Sequence, residues 1–190
     1  MASGSLITWP DLAALSDSER LPQGLLHWMT CINGLYIYGG LLKRIIYPAS
    51  AVPLGDVDVI ALDAKVMEIM TTRFGIVFRR VKTTTRTPYF IGKAGHGDSK
   101  IIHLALLGSH EQAMRYVMNN QFDIDRLALS NHHLFHDPQF ELDALCKAIR
   151  TKRATRVMDK RDMTLFAKNR PQIEHHYEVR LRRKGYTVID

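Results

Sequence analysis

The sequence predicts an α+β protein in which a small mixed sheet is flanked by helices. Short apolar runs with alternating polar residues, typical of strands, occur at residues 35–38, 57–62 and 100–106. Apolar residues at helical spacing lie between them, as at residues 64–73. A chain of 190 residues with 46% hydrophobic residues can also bury a sizeable core. We therefore expect one main domain with at most a small helical appendage.

Residues 1–34 are predicted to form an N-terminal helical segment. Helix-start signals occur at Asp11 and again at Ser16, where Ser16 and Glu19 have the spacing of a capping box. The helix that follows should direct Leu25 and its apolar neighbours toward the core and should end at the Asn-Gly pair of residues 33–34.

Residues 35–130 are predicted to form the core of the fold. The strands at residues 35–38 and 57–62 should be separated by a helix that follows Gly40. The helix at residues 64–73 should direct Val66, Ile69 and Met70 inward and end at Gly75. The next predicted elements are strands at 76–82 and 87–91, a turn at 92–98, the strand at 100–106 and a helix at 109–119.

Residues 131–190 are predicted to form a basic, helical C-terminal extension. Residues 144–190 hold 13 Lys or Arg against 5 Asp or Glu, whereas residues 1–143 hold 13 against 14. The whole formal net charge of +7 therefore comes from the C-terminal part. Such a segment favours RNA or another polyanion as a partner. A solvated helix face stays an alternative, because aromatic residues do not interleave these charges.

Two aspartates are the strongest candidates for a metal site. Asp56 and Asp58 stand on either side of Val57 at the start of a predicted strand, where alternation puts both carboxylates on one face. Two neighbouring carboxylates repel each other unless a cation joins them. Oxygen ligands of this kind suit Mg²⁺ that also carries substrate phosphates. The pair therefore predicts a Mg²⁺ site.

Two glycines precede this pair in a position that suits phosphate. Gly39 and Gly40 lie between the strand at residues 35–38 and the helix that follows. Glycines at such a turn leave backbone N–H groups exposed at the start of the helix, where anions bind. A phosphate-bearing substrate is therefore expected beside the two aspartates.

These motifs, in this order, resemble the nucleotidyltransferase superfamily, and within it the head domain of CCA-adding enzymes and bacterial poly(A) polymerases. The family's Gly-Gly-x-Val-Arg-Asp corresponds to residues 39–44, its Asp-x-Asp to residues 56–58, and its Arg-Asp-Phe-Thr-Ile-Asn-Ala-Leu-Ala to residues 120–128. Later family landmarks are echoed at residues 137–138, 143–145 and 149–150. The sequence departs from the family at three places: Lys43 replaces an arginine, Arg44 an aspartate, and residues 120–121 an Arg-Asp pair.

The resemblance implies a polymerase-β-like fold and transfer of a nucleoside monophosphate from an NTP to an acceptor hydroxyl on RNA or tRNA. Asp56 and Asp58 would hold Mg²⁺, as two ions in an active enzyme. Other residues implied at the site are Gly39, Gly40 and Lys43 for the triphosphate, and Asp125 and Arg126 for the base or sugar. The tRNA-gripping domains of CCA-adding enzymes are not expected in a chain of 190 residues.

The third catalytic position is where the resemblance is weakest. The family places a third carboxylate on a later strand, and the matching strand at residues 100–106 carries His103 instead. Histidine can act as a base near neutral pH, but it is a poorer Mg²⁺ ligand. Asp123 and Asp125 alternate like the first pair and could supply the missing carboxylate.

Three functional hypotheses therefore remain open. The first is an active nucleotidyltransferase, and the second is a catalytically degenerate module that binds RNA or a protein partner as a regulator or inhibitor. The third is toxin-like or antitoxin-like nucleotidylation of tRNA or protein, which uses the same site with another acceptor.

The sequence also predicts where the protein works. Neither a basic leader nor a run of about 20 apolar residues is present, so no membrane association is expected. Cys31 and Cys146 lack metal-ligand spacing and are expected to be reduced thiols. We expect a cytoplasmic protein of a bacterial or phage-infected cell.

Overall fold

The computed structural model describes residues 9–52, 54–82, 87–94, 99–157 and 170–190, with the side chains of residues 94 and 170–175 outside this description. The helices are α1 (Leu12–Ser18), α2 (Leu25–Cys31), α3 (Gly39–Ile46), α4 (Lys65–Phe74), α5 (His110–Met118), α6 (Leu142–Arg150) and α7 (Arg170–Arg183). The strands are β1 (Leu35–Tyr38), β2 (Val57–Ala61), β3 (Ile76–Val81), β4 (Tyr89–Ala94), β5 (Ile101–Leu106), β6 (Leu127–Ser130), β7 (His133–His136), β8 (Arg153–Thr155) and β9 (Thr187–Ile189). Within the described residues, no helix is long and apolar enough to cross a membrane.

Seven strands form one mixed sheet in the order β3-β4-β5-β2-β1-β6-β7. β2 lies near its centre and pairs parallel with β5 and antiparallel with β1. β8 and β9 form a separate parallel pair. The predicted α+β class with a mixed sheet and flanking helices is confirmed.

The two faces of the sheet are covered by different helices. On one face the larger hydrophobic cluster includes Val57 and Val59 of β2 and apolar residues of α2, α3, α4 and α6. On the other face a smaller cluster joins Ile60 to Ala113 and Val117 of α5. Asp58 alternates with Val57 and Val59 and therefore shares the α5 face with Ile60.

The N-terminal helices begin at different residues from those predicted. Asp11 caps α1, as expected, because its carboxylate accepts from the N–H groups of Ala13 and Ala14 at 3.0 and 3.1 Å. The capping box at Ser16 is wrong, because the earlier start at Asp11 leaves Ser16 buried inside α1. The carboxylate of Glu19 pairs instead with Arg44 Nε at 2.7 Å.

Two further expectations need correction. Val66 and Met70 of α4 are buried, but Ile69 is 39% exposed because the side of α4 that contacts the sheet is narrow. β4 continues to Ala94, so residues 92–94 belong to a strand and not to the predicted turn, and residues 95–98 lie outside the described residues. Gly92 is a strand residue, and a Cβ there would lie 2.5 Å from the ring of Phe78.

The C-terminal part is less helical than predicted. β6 and β7 form an antiparallel hairpin that extends the main sheet, so the expected boundary at residue 130 falls between two paired strands. All four residues of β6 are buried, which removes the alternation that identifies a half-exposed strand. Asn131 and His132 form the hairpin turn with φ of 45° and 63°. This turn lacks the glycine by which most hairpin turns with positive φ are predicted from sequence.

Candidate active site

Asp58 lies at the centre of the main sheet, on the face covered by α5. Its neighbours in the sheet are Tyr38 on β1 and His103 on β5. Three strands that are far apart in the sequence therefore bring together two of the predicted acid and base residues. Asp56 lies just before β2 and is 44% exposed, so the pair combines a half-buried carboxylate with an open one.

Gly39 connects this carboxylate to the start of α3. Gly39 has φ of +65°, and a Cβ at this residue would lie 2.8 Å from Asp58 Oδ2. Both the backbone conformation and the close approach therefore require glycine. Tyr38 precedes α3 without a side-chain cap, so none of the first N–H groups is satisfied by it. The helix start and the carboxylate thus face the same small space, as the sequence predicts.

The surroundings of Asp58 disfavour its ionised form. Burial raises the pKa of Asp58 to about 6, and the negative charges of Asp56 and Asp125 raise it too. His103 and Arg180 of α7 act in the opposite direction and lower it. Because desolvation dominates, a bound divalent cation would stabilise the ionised form that this environment disfavours.

His103 is held between Asp56 and Tyr89. Its Nε2 lies 3.4 Å from Asp56 Oδ2, and its Nδ1 lies 2.5 Å from the Tyr89 hydroxyl. Burial, followed by the charge of Asp58, raises the pKa of Tyr89, so this phenol stays protonated. When the phenol donates to Nδ1, the ring proton sits on Nε2 and faces Asp56. In that tautomer His103 orients Asp56 and must exchange a partner before it can accept a proton.

Lys43 and Asp125 form an ion pair beside these residues. Lys43 lies one turn into α3, and its Nζ donates to Asp125 Oδ1. Asp125 ends a 3-10 turn at Asp123–Asp125 and is close enough to Asp58 to raise its pKa. Asp123 is not available to a metal, because it is buried and accepts from the N–H groups of Ile124 and Thr155.

Arg126 lies in the core, and this does not fit the contact with base or sugar that the resemblance implies. The side chain is 2% exposed and its Nη1 donates to Asp137 Oδ2 at 2.6 Å. Its Nε also donates to the carbonyl of Asn120 at 2.8 Å. Although burial raises the pKa of Asp137, hydrogen bonds from Gln139 and Arg126 bring it below its usual range. Arg126 thus anchors the turn that carries Asp125.

Aromatic residues complete the site, and sequence reasoning missed them. Tyr38 packs against Tyr116 of α5 with ring centroids 6.0 Å apart, and Tyr89 packs against His103 at 5.7 Å. Burial raises the pKa of Tyr38 and of Tyr116, and the charge of Asp58 adds to both shifts. The tyrosine at residue 38 could have been found, because it alternates with Tyr36 on a strand that was correctly predicted.

The donor set at this site suits a metal only in part. Among the described residues, no three His, Cys, Asp or Glu side chains converge closely enough to hold a metal ion by themselves. Asp56 and Asp58 supply carboxylate oxygens, the ligands that Mg²⁺ prefers, and Mg²⁺ commonly keeps water and substrate phosphate as its other ligands. The pair therefore fits Mg²⁺ delivered with a phosphate-bearing substrate better than a closed protein cage.

Comparison with known proteins shows a distant similarity to a solved structure. No protein-family model matches the sequence, and no curated protein matches it. A solved structure described as a tRNA-processing enzyme in an apo form aligns with a TM-score of 0.43 and 14% identity. The alignment covers 77% of this chain and 34% of that one, so the chain spans about a third of that enzyme's length.

Proposed function

We propose that this protein is a metal-dependent nucleotidyltransferase that moves a nucleoside monophosphate from an NTP to an acceptor hydroxyl on RNA or tRNA. The observation that carries the proposal is the close approach of Gly39 to Asp58, which places a helix start without a side-chain cap beside a carboxylate whose ionised form is disfavoured. Phosphate suits the first feature and Mg²⁺ the second. An NTP bound as its Mg²⁺ complex supplies both.

Each residue then has a role that its surroundings support. Asp56 and Asp58 would hold Mg²⁺, which supplies charge stabilisation at the attacking and leaving oxygens when bound. Backbone N–H groups at Gly39 and Gly40 would donate to the triphosphate. Lys43 would add one positive charge, shared between Asp125 and phosphate. His103 would orient Asp56 through Nε2.

The proposed acceptor rests on charge. Residues 144–190 carry the excess of basic residues, and Lys147, Arg150 and Arg153 of this part are exposed. α7 also brings Arg180 close enough to lower the pKa of Asp58. A phosphodiester chain bound along these residues would therefore reach the site with its charge matched.

The test is nucleotide incorporation. Purified protein with Mg²⁺ and each labelled NTP in turn is incubated with total RNA, and label in RNA is measured. Asp56→Asn and Asp58→Asn should each lower incorporation at least 100-fold, on the order expected when charge stabilisation is lost. Asp143→Asn is the matched control, because Asp143 is an exposed acid on α6. Incorporation that survives both site variants would reject the proposal.

A second candidate function is favoured by the surroundings of His103. Both ring nitrogens already have partners, Tyr89 and Asp56, and the described residues offer no third carboxylate ligand at this site. A catalytically degenerate module that binds RNA or a protein as a regulator or inhibitor would tolerate this arrangement. A stoichiometric partner that still copurifies with the Asp56→Asn/Asp58→Asn double variant, together with no incorporation by wild type, would favour it.

A further inference from the structure

A cavity of about 40 Å³ lies alongside α3, and its lining is strongly basic. α3 contributes Lys43 and Arg44, and the loop after it contributes Ser50. The C-terminal part contributes three further lining residues: Lys152, Lys184 and Tyr186. Four cations therefore line a space between α3 and the last elements of the chain, and none of the described carboxylates does.

Two of these four cations are already neutralised. Lys43 pairs with Asp125, and Arg44 pairs with Glu19 at 2.7 Å. Arg44 also donates to the carbonyl oxygens of Ser50 and Val52, which holds the loop that closes one side of the cavity. Arg44 is therefore committed to the protein itself.

The other two cations have no carboxylate partner within the described part of the chain. Lys152 Nζ donates to Ser50 Oγ at 2.9 Å and lies 4.9 Å from the centre of the Tyr186 ring. Lys184 makes no side-chain hydrogen bond or ion pair to a described residue. Burial lowers the pKa of Lys152, and the charges of Arg44 and Lys43 lower it further. Burial, Lys43 and Arg180 lower the pKa of Lys184, and their effect exceeds the raising effect of Asp125 and Asp58. The cavity thus retains two positive charges, each of which is repelled by Lys43.

Tyr186 holds the ammonium groups of Lys43 and Lys152 close together. The ring is 7% exposed, and Lys43 lies over it at 5.6 Å while Lys152 lies over it at 4.9 Å. Cation–π attraction offsets part of the repulsion between the two ammonium groups, but it supplies no counter-charge. An anion in the cavity would supply the counter-charge.

We propose that this cavity is a binding site for one phosphate group. Its surplus of two positive charges matches a phosphate dianion, and ammonium groups donate to phosphate oxygens. Its volume exceeds the space that a single water molecule requires. The site differs from the acid pair in using Lys152 and Lys184, and it requires neither Mg²⁺ nor nucleotidyl transfer.

Thermal unfolding in EDTA tests this site separately from the proposed enzyme function. We expect saturating inorganic phosphate to raise Tm by about 3–6 °C over sodium chloride at equal ionic strength. Pyrophosphate and ATP are tested in the same way. A rise of Tm with ATP but not with phosphate would assign the site to the end of a triphosphate. Asp58→Asn should keep the phosphate response, so failure of this inference and failure of the enzyme proposal are distinguishable.

Replacing either lysine should have different effects on Tm in phosphate and in chloride. Lys152→Gln and Lys184→Gln should each lose at least half of the phosphate response. In chloride each should be as stable as wild type or more stable, because the repulsion is relieved. Lys147→Gln, an exposed lysine on α6, is the matched control and should keep the full response.

Lysine pKa values of the wild-type protein provide a test that does not require the variants to fold. With ¹³C-labelled lysine, phosphate should raise the pKa of two lysines and leave the exposed ones unchanged. Equal Tm in phosphate and chloride, or an equal loss of response in Lys147→Gln, would overturn the proposal. So would lysine pKa values that phosphate leaves unmoved.

Discussion

Two regions meet at α3, and their charges are unbalanced in opposite directions. At the start of the helix, Asp58 has its pKa raised to about 6 by burial and neighbouring acids. Along its side, Lys152 and Lys184 have their pKa values lowered by burial and neighbouring cations. A cation would balance the charge of the first region, and an anion that of the second.

These opposite charge imbalances indicate that neither region is arranged for stability alone. Asp58 has no described ion-pair partner, although the charges of His103 and Arg180 lower its pKa and its own charge raises the pKa of Lys184. Buried groups with strongly shifted pKa values are concentrated at functional sites, where a ligand completes the charge balance. We infer that the acid face, formed by Asp56, Asp58 and Asp125, and the basic cavity bind ligands of opposite charge. α3 lies between these two regions.

The largest expected effect comes from breaking the anchor of the acid face. Arg126→Ala would leave Asp137 buried without its partner and should lower the free energy of unfolding by about 3–5 kcal/mol. Urea unfolding measures it. Arg115→Ala, which removes the exposed pair with Glu111, should change stability by less than about 0.5 kcal/mol. Equal losses in the two variants would contradict the structural role of Arg126.

Gly39→Ala should follow, with a loss of about 3 kcal/mol. A Cβ adds strain at φ +65° and meets Asp58 Oδ2 at 2.8 Å. Gly75→Ala is a matched control, because Gly75 also has φ +65° but has open space around its Cβ position. The control should lose only about 1–2 kcal/mol. If both variants lose the same amount, the close contact with Asp58 is not real.

Asp58→Asn should stabilise the protein at pH 8 by about 2 kcal/mol, after allowance for partial exposure. The pKa of Asp58 is raised from 3.8 to about 6 on folding, so its protonated form is favoured in the folded state. That favourable contribution is complete below pH 3.8 and is lost as pH rises through about 6.

The stability gain of Asp58→Asn should therefore grow as pH rises from about 4 to about 6 and be nearly complete above pH 6. Urea unfolding at a series of pH values measures it, with Asp143→Asn as the exposed control. Mg²⁺ with a nonhydrolysable NTP should shrink the gain, because wild type alone retains both of the proposed metal ligands. A gain that is constant from pH 4 to pH 8 would show that Asp58 is not desolvated.

The smallest expected effect is the one that reports on both regions. Lys43→Met removes the pair with Asp125 and also removes one of the cations that lower the pKa of Lys152 and Lys184. We expect stability to change by less than about 1 kcal/mol, because the loss of the ion pair with Asp125 and the relief of repulsion on Lys152 and Lys184 oppose each other. In NMR titrations the pKa of Asp58 and of Lys152 should both rise. If neither moves, the two regions are electrostatically independent.

The parts of the fold that were predicted are those with a clear local pattern. β1, β2, β5 and the helices α3, α4 and α5 follow alternation or helical spacing closely. The hairpin of β6 and β7 was missed, because β6 is buried on both faces and its turn has no glycine. Ser16 was misread because a capping box is a local signal, and Asp11 begins the helix earlier.

The candidate site divides in the same way. Asp56, Asp58, Gly39 and Gly40 belong to two short segments whose chemistry is legible in the sequence, and the structure brings them together. The basic cavity was not predicted, because its lining comes from α3, from the loop at residue 50 and from residues 152–186. Spacing within a sequence cannot show that lysines more than 100 residues apart share one space.

The ion pair between Lys43 and Asp125 has a thermodynamic consequence. Its ammonium lines the basic cavity, and its carboxylate acts on Asp58. Phosphate in the cavity would share the ammonium group of Lys43, so the charge of Asp125 would be less well neutralised. The acid face would then attract a divalent ion more strongly. Linkage makes this reciprocal, so each ligand should tighten the other's binding by the same factor.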